Sequence, residues 1–277
     1  MGFAGHKAFA VRVFTADMPT RRAFLAGSAV AITGCIGTDS GNETNESDDE
    51  GEPEFVVSTS KDTVELPRDS LEVTAENMGD GGGGFGPHLR TYKIVDGERY
   101  IIAPRTSTLD AVLLEPGDEF SLSFTVDNTD REHGYAGRGD QTLWGLNPGT
   151  YVTELGGTAE FEIVGEPFDA GTVSHEVRRE DGVLNVYADM ESLDDNQPAV
   201  RLIPTDSDGH RLIEEQINQF YTFRDAVLRA DGGEANIYTD GGLGIESRLE
   251  FYTGEDIDDG SIVIEYGDGA YEVRMSG

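Results

Sequence analysis

The chain has 277 residues, with 54 acidic against 20 basic side chains, a formal charge of −34, and one cysteine. No basic stripe exists to neutralise phosphates, which argues against nucleic-acid binding, and a single thiol excludes an internal disulfide framework or a cysteine-rich metal site. The five histidines never stand at H-x-x-x-H or H-E-x-x-H spacing, and no G-x-S-x-G turn occurs, so the common hydrolase signatures are missing.

In chain order, the first feature is a charged start at Arg21 and Arg22, a mildly apolar run from Ala23 to Ile32, and a small-residue end at Gly34 and Cys35. That pattern reads as an export signal that is removed from the mature protein. The apolar run is about ten residues where a bilayer-spanning helix needs roughly 20, so a permanent transmembrane anchor is the weaker reading. The segment "TRRAFL" resembles a twin-arginine (Tat) export signal, and "ITGC" resembles a lipobox, although Thr33 stands where Ala or Ser is commoner and no Lys follows Leu25. The resemblance implies that residues 1–35 are a lipoprotein signal, with Met18 as an alternative start. It further implies that Cys35 carries the lipid and that the mature protein is held at the extracellular face of the cell membrane. One acyl chain binds a membrane only marginally, so stable attachment implies at least two.

Removing the signal takes away Lys7, Arg12, Arg21, Arg22 and Asp17, so 16 basic and 53 acidic residues remain, a formal charge of −37. Lys61 and Lys93 are then the only lysines. Excess carboxylate with scarce lysine resembles the proteins of extreme halophiles: at molar salt the Debye length is about 3 Å, which screens the mutual repulsion while the charge maintains solubility. Residues 36–53 read as an acidic disordered tether, because eight of the 19 residues from Ile36 to Glu54 are acids, none is basic, and little apolar surface offsets the entropy of ordering. Asn42 and Asn45 head N-x-[ST] sequons and are candidate glycosylation sites.

Residues 54–165 read as short strands. "LEVTAEN", "EFSLSFTV" and "AEFEIV" alternate apolar and polar residues, Asp96-Gly97 marks a hairpin, and "LEPG" and "LNPG" punctuate the rest. Leu146, Pro148, Gly149 and Tyr151 form L-x-P-G-x-Y, which resembles a tyrosine corner. The order of these motifs, with the glycine loop ending at Gly86-Pro87, resembles a bacterial immunoglobulin-like domain of envelope lipoproteins. That resemblance implies a β-sandwich whose motif residues are scaffold and carry no catalysis.

Residues 166–277 read as an α+β domain with one long helix on an antiparallel sheet, and resemble no family. A hairpin is expected around Asp181-Gly182 and a strand at "AVRLIPT". In "RLIEEQINQFYTFRDAVLRADGG", Ile213, Ile217, Phe220, Phe223 or Arg224, and Val227 recur at helical spacing, with Glu214 and Glu215 early, Arg229 late and Gly232 beyond. "EANIYTD", "SRLEFYT", "SIVIEYG" and "AYEVRMS" read as strands. The expected fold class is therefore mainly β, a sandwich followed by an α+β unit.

Chemistry-bearing motifs are sparse. "GDGGGGFG" meets G-x-G-x-x-G literally, but Pro87 and a strand follow where a dinucleotide site needs a helix. Asp206 and Asp208 occupy two places of a calcium-loop pattern whose first position is Pro204, and a turn into a helix capped by Ser207 or Asp208 explains them more cheaply. Asp256, Asp258 and Asp259 cluster in a second acidic loop. These five aspartates are weak metal candidates, and neither metal nor cofactor is expected. Trp144 reads as a core plug beside the corner. The reading overall is a non-enzymatic, lipid-anchored surface protein of a halophilic archaeon, with a binding or envelope-assembly role. Its expected partners are the membrane, through the lipid anchor, and an envelope protein; the sequence points to no particular small-molecule ligand. The alternative is an exported enzyme or ion-binding protein with a site between the two domains.

Overall fold

The computed structural model describes residues 51–86, 89–103, 111–129, 141–169, 175–188, 198–239, 244–257 and 260–275, all within one compact unit. The fold is mainly β, a two-sheet sandwich followed by an α+β half. Among the described residues no helix is long and apolar enough to cross a membrane.

The sandwich holds β1 (Phe55–Thr59), β2 (Thr63–Glu65), β3 (Arg68–Asn77), β4 (Gly83–Phe85), β5 (Arg90–Val95), β6 (Glu98–Ala103), β7 (Val112–Leu114), β8 (Glu119–Asp127), β9 (Gln141–Leu143), β10 (Gly149–Glu154) and β11 (Thr158–Val164). One sheet runs β1-β3-β8-β9 and the other β2-β11-β10-β5-β6, with β4 and β7 forming a short ribbon. Alternation decides which side chains face inward. Leu71, Val73 and Ala75 of β3 and Leu122, Phe124 and Val126 of β8 meet Tyr151, Phe161 and Ile163 of the opposite sheet in one buried cluster. Phe124 and Phe161 pack edge to face at 5.1 Å across the gap. The hairpin between β5 and β6 turns on Asp96 and Gly97, both at positive φ.

The glycine loop is a joint of the fold. A Cβ on Gly81 would lie 1.6 Å from the Gly51 carbonyl oxygen, so only glycine lets the loop close on the entering chain. Buried Asn77 fixes this closure: its amide donates to the carbonyls of Gly81 and Leu114, and its Oδ1 accepts from the Glu54 and Gly79 amides.

The C-terminal half holds β12 (Glu176–Glu180), β13 (Val183–Ala188), β14 (Val200–Pro204), β15 (His210–Arg211), α1 (Glu214–Asn218), α2 (Tyr221–Ala230), β16 (Ala235–Thr239), α3 (Ile245–Thr253), β17 (Ser261–Tyr266) and β18 (Gly269–Met275). Its seven strands run β12-β13-β16-β14-β18-β17-β15. Most pairings are antiparallel, while β13 with β16 and β15 with β17 are parallel. The helical run is divided at Gln219 and Phe220, where Phe220 takes φ −134° and ψ 65°. Inward residues of the sheet, including Leu184, Val186, Val200, Leu202 and Val273, form a second core with Ile217, Phe220, Phe223 and Val227 of the helical layer.

One expected strand is a helix: "SRLEFYT" lies in α3. Gly244 and Gly254 bracket it in the left-handed region, and only Ile245 and Leu249, one helical turn apart, bury fully. A short apolar run does not distinguish period two from period 3.6. The segment "PTDSDGHRLIEE" is also not a turn leading straight into a helix. A two-residue strand, β15, intervenes, and Ile213 rather than Ser207 or Asp208 occupies the N-cap position of α1.

Candidate functional site

The largest concentration of buried polar side chains among the described residues lies where α1 meets the sandwich. Helical periodicity sends Ile217 into the C-terminal core, which leaves Glu215, Gln216, Asn218 and Gln219 pointing elsewhere, yet all four are buried. They point at the sandwich. Ile213, at the head of α1, packs in the sandwich core, and its amide donates to Gln216 Oε1 at 3.0 Å. Gln216 Nε2 donates to the Ile101 carbonyl at 3.0 Å, Asn218 Nδ2 to the Gly145 carbonyl at 3.1 Å, and Gln219 Nε2 to the Trp144 carbonyl.

The charged centre of this seam is Lys93 of β5 paired with Glu215 of α1. Their side chains are 13% and 2% exposed, so water screens the pair little. Lys93 also reaches the Pro148 carbonyl at 3.4 Å. Beside it, the Tyr151 hydroxyl donates to the Asn147 carbonyl at 2.8 Å, the local geometry of a tyrosine corner, and lies 3.4 Å from Glu215 Oε1. Burial, followed by the negative charge of Glu215, pushes the Tyr151 phenol well above its ordinary range. Within the motif, Leu146 is buried and Gly149 takes φ 144°. A Cβ on Gly145, itself at φ 68°, would lie 2.7 Å from Asn218 Cβ, so glycine permits the close approach of the two halves.

A second polar group borders the seam. His175 Nδ1 lies 2.7 Å from Asp225 Oδ2, and His175 Nε2 lies 3.4 Å from Thr222 Oγ1. Arg224, 2% exposed, pairs with Asp225 Oδ1 and lies over the rings of Trp144 and Phe168. Hydroxyl, imidazole and carboxylate thus stand in the order of a proton relay. Thr222 is only 3% exposed, however, and a buried hydroxyl has no access to a substrate. Trp144 is buried edge to face against Phe168.

Folding also unites two segments that sequence reading kept apart. Asp208, His210, Glu255, Asp256 and Glu272 line a cleft of about 320 Å³, and His210 Nε2 lies 3.1 Å from Glu255 Oε2. Asp206 sits in the preceding turn and does not line it. Among the described residues no group of three acidic or histidine side chains converges as a metal site would require. Asp258 and Asp259 lie outside the described residues, as do Arg21, Arg22, Cys35, Asn42 and Asn45.

No protein-family model and no curated protein matches the chain. Among solved structures, a β-glucosidase from Listeria innocua in complex with gluconolactone is 19% identical with a TM-score of 0.23, the likeness covering 42% of this chain and 16% of that one. A β-glucosidase from Erythrobacter marinus is 21% identical with a TM-score of 0.23, covering 40% of this chain and 16% of that one. The CARDB domain of a Pyrococcus furiosus protein, in complex with di-metal ions, is 19% identical with a TM-score of 0.21, covering 46% of this chain and all of that domain, 100%. The chain therefore corresponds to a small part of each glucosidase, and scores this low carry no argument about activity, metal or substrate.

Proposed function

We propose that this chain is a non-enzymatic, lipid-anchored surface protein of a halophilic archaeon, whose folded body binds or assembles envelope components outside the membrane. The observation that supports this reading over an enzyme with an interdomain site is the condition of the seam. A catalytic cleft leaves converging polar groups for a substrate. Here Glu215, Gln216, Asn218 and Gln219 are used on Lys93 and on sandwich carbonyls. The anchor rests on the twin arginines and lipobox-like ending at Cys35, and the habitat on the charge of −34.

Replacing Cys35 with serine, followed by fractionation of native cells, tests the anchor. The expected result is release of the protein from the membrane fraction. Membrane association unchanged by Cys35→Ser contradicts the proposal. A second measurement addresses habitat: dialysis from molar to low salt is expected to abolish the folded circular-dichroism spectrum as carboxylate repulsion becomes unscreened.

A further inference from the structure

Lys61 and Lys93 are the two lysines that follow Cys35, and the fold treats them oppositely. Lys61 pairs with Asp69 where both side chains meet water. Lys93 meets Glu215 inside the buried seam, in contact across the two halves of the molecule.

The Lys93 amine is held from several sides. Its strand register sets it opposite Tyr151 of β10, whose ring centroid lies 5.6 Å from Nζ, and the Pro148 carbonyl lies 3.4 Å from Nζ. A Cβ on Gly149 would lie 3.2 Å from Lys93 Cε and 3.7 Å from Nζ, so glycine makes the room in which the amine rests against backbone. Glu215 is fixed as firmly, because Gln216, Asn218 and Gln219 tie its helix to the sandwich carbonyls. Amine and carboxyl group, 122 positions apart in the chain, are therefore pressed together by two rigid bodies.

Two physical arguments make this contact reactive. Burying a pair of charges carries a desolvation penalty, and an amide carries neither charge. Groups held in reacting geometry also behave as though at effective concentrations of about 10⁵–10⁸ M. We propose that Lys93 and Glu215 condense into a side-chain amide, an isopeptide bond that joins the sandwich covalently to α1.

The step balances without an outside reagent. One ammonium proton passes to the Glu215 carboxylate, giving amine and carboxylic acid. The nitrogen lone pair forms a bond to Cδ while the carbonyl π pair moves onto Oε1. There the Tyr151 hydroxyl, 3.4 Å away, turns from the Asn147 carbonyl and donates to the developing charge. Burial and the negative charge of Glu215 keep this phenol protonated. A second proton then moves from nitrogen to the hydroxyl oxygen, the bond from Cδ to that oxygen breaks with its electron pair, and water leaves on the more open Lys93 side. Ammonium and carboxylate have become amide and water.

The inference goes beyond the binding role proposed above and depends on neither anchor nor habitat. Peptide mapping by mass spectrometry, on full-length protein purified at molar salt and then denatured, tests it. The expected product is a branched peptide containing both Lys93 and Glu215, lighter by one water than its two arms together, with Lys61 unlinked. Lys93→Arg and Glu215→Ala are expected to lack it. Tyr151→Phe keeps the pair, and in pulse-labelled cells its linkage is expected to form about a hundredfold more slowly, the scale of one lost donor to a developing oxyanion. Separate, unmodified Lys93 and Glu215 peptides from the folded wild-type protein overturn the proposal, as does equal linkage of Lys61 to Asp69. Linkage of Tyr151→Phe at the wild-type rate overturns the part assigned to the phenol.

Discussion

The C-terminal half presents two polar surfaces of opposite character. On α1, Glu215, Gln216, Asn218 and Gln219 are buried and matched to Lys93 and to the carbonyls of Ile101, Gly145 and Trp144. On the outward sheet face, Arg201 is exposed without an ionic partner and Asn236 Oδ1 accepts no hydrogen bond. The contrast separates a structural surface from a solvated one. Polar groups that find one another within the chain hold the two halves together, while the exposed Arg201 guanidinium stays in solvent and joins nothing.

Substitutions break or sharpen this contrast in a graded order. Glu215→Ala removes one member of a buried pair and leaves the Lys93 ammonium uncompensated, so denaturant unfolding at molar salt is expected to show a loss of about 3–5 kcal/mol. Gly145→Ala combines a left-handed backbone with a collision against Asn218, and the same measurement is expected to show a loss of about 1–3 kcal/mol. Tyr151→Phe removes one buried hydrogen bond, a loss of about 1 kcal/mol.

Tyr151→Phe also carries a pH signature. The folded state raises this phenol above its ordinary value of 10.0, so its contribution is fully present below pH 10.0 and falls as the unfolded chain ionises above it. Wild-type stability is expected to decline more steeply than that of the phenylalanine variant once the pH passes 10.0. The smallest effect belongs to the outward sheet face: Arg201→Ala is expected to leave stability within about 0.5 kcal/mol by denaturant unfolding, because this side chain is exposed.

The sandwich was legible because its strands each bury one face, so "EFSLSFTV" and "AEFEIV" announce their inward residues by alternation alone. The seam was not. Glu215, Gln216, Asn218 and Gln219 look like a solvated helix face, and only a tertiary contact turns them inward. The available signal was their continuity: the polar side of a five-residue helix, followed at once by Phe220, leaves a short element with apolar neighbours at both ends. The register across the C-terminal sheet was hidden for another reason. Arg178, Asn185, Asn236, Arg201 and Arg274 are scattered over nearly a hundred residues, and their alignment depends on a parallel pairing of β13 with β16 that no local pattern encodes. The acidic cleft was half legible: both contributing loops were visible as charge clusters, but not their meeting.

Whether the seam is a lock or a closed site is decided most directly by native-state hydrogen exchange across residues 213–220, at molar salt. If the seam is a lock, these amides exchange only through global unfolding, at the same free energy as the core of β8 and with the same sensitivity to denaturant. Faster exchange in this segment, with the β8 core still protected, would show the halves parting in the native state and would contradict the account.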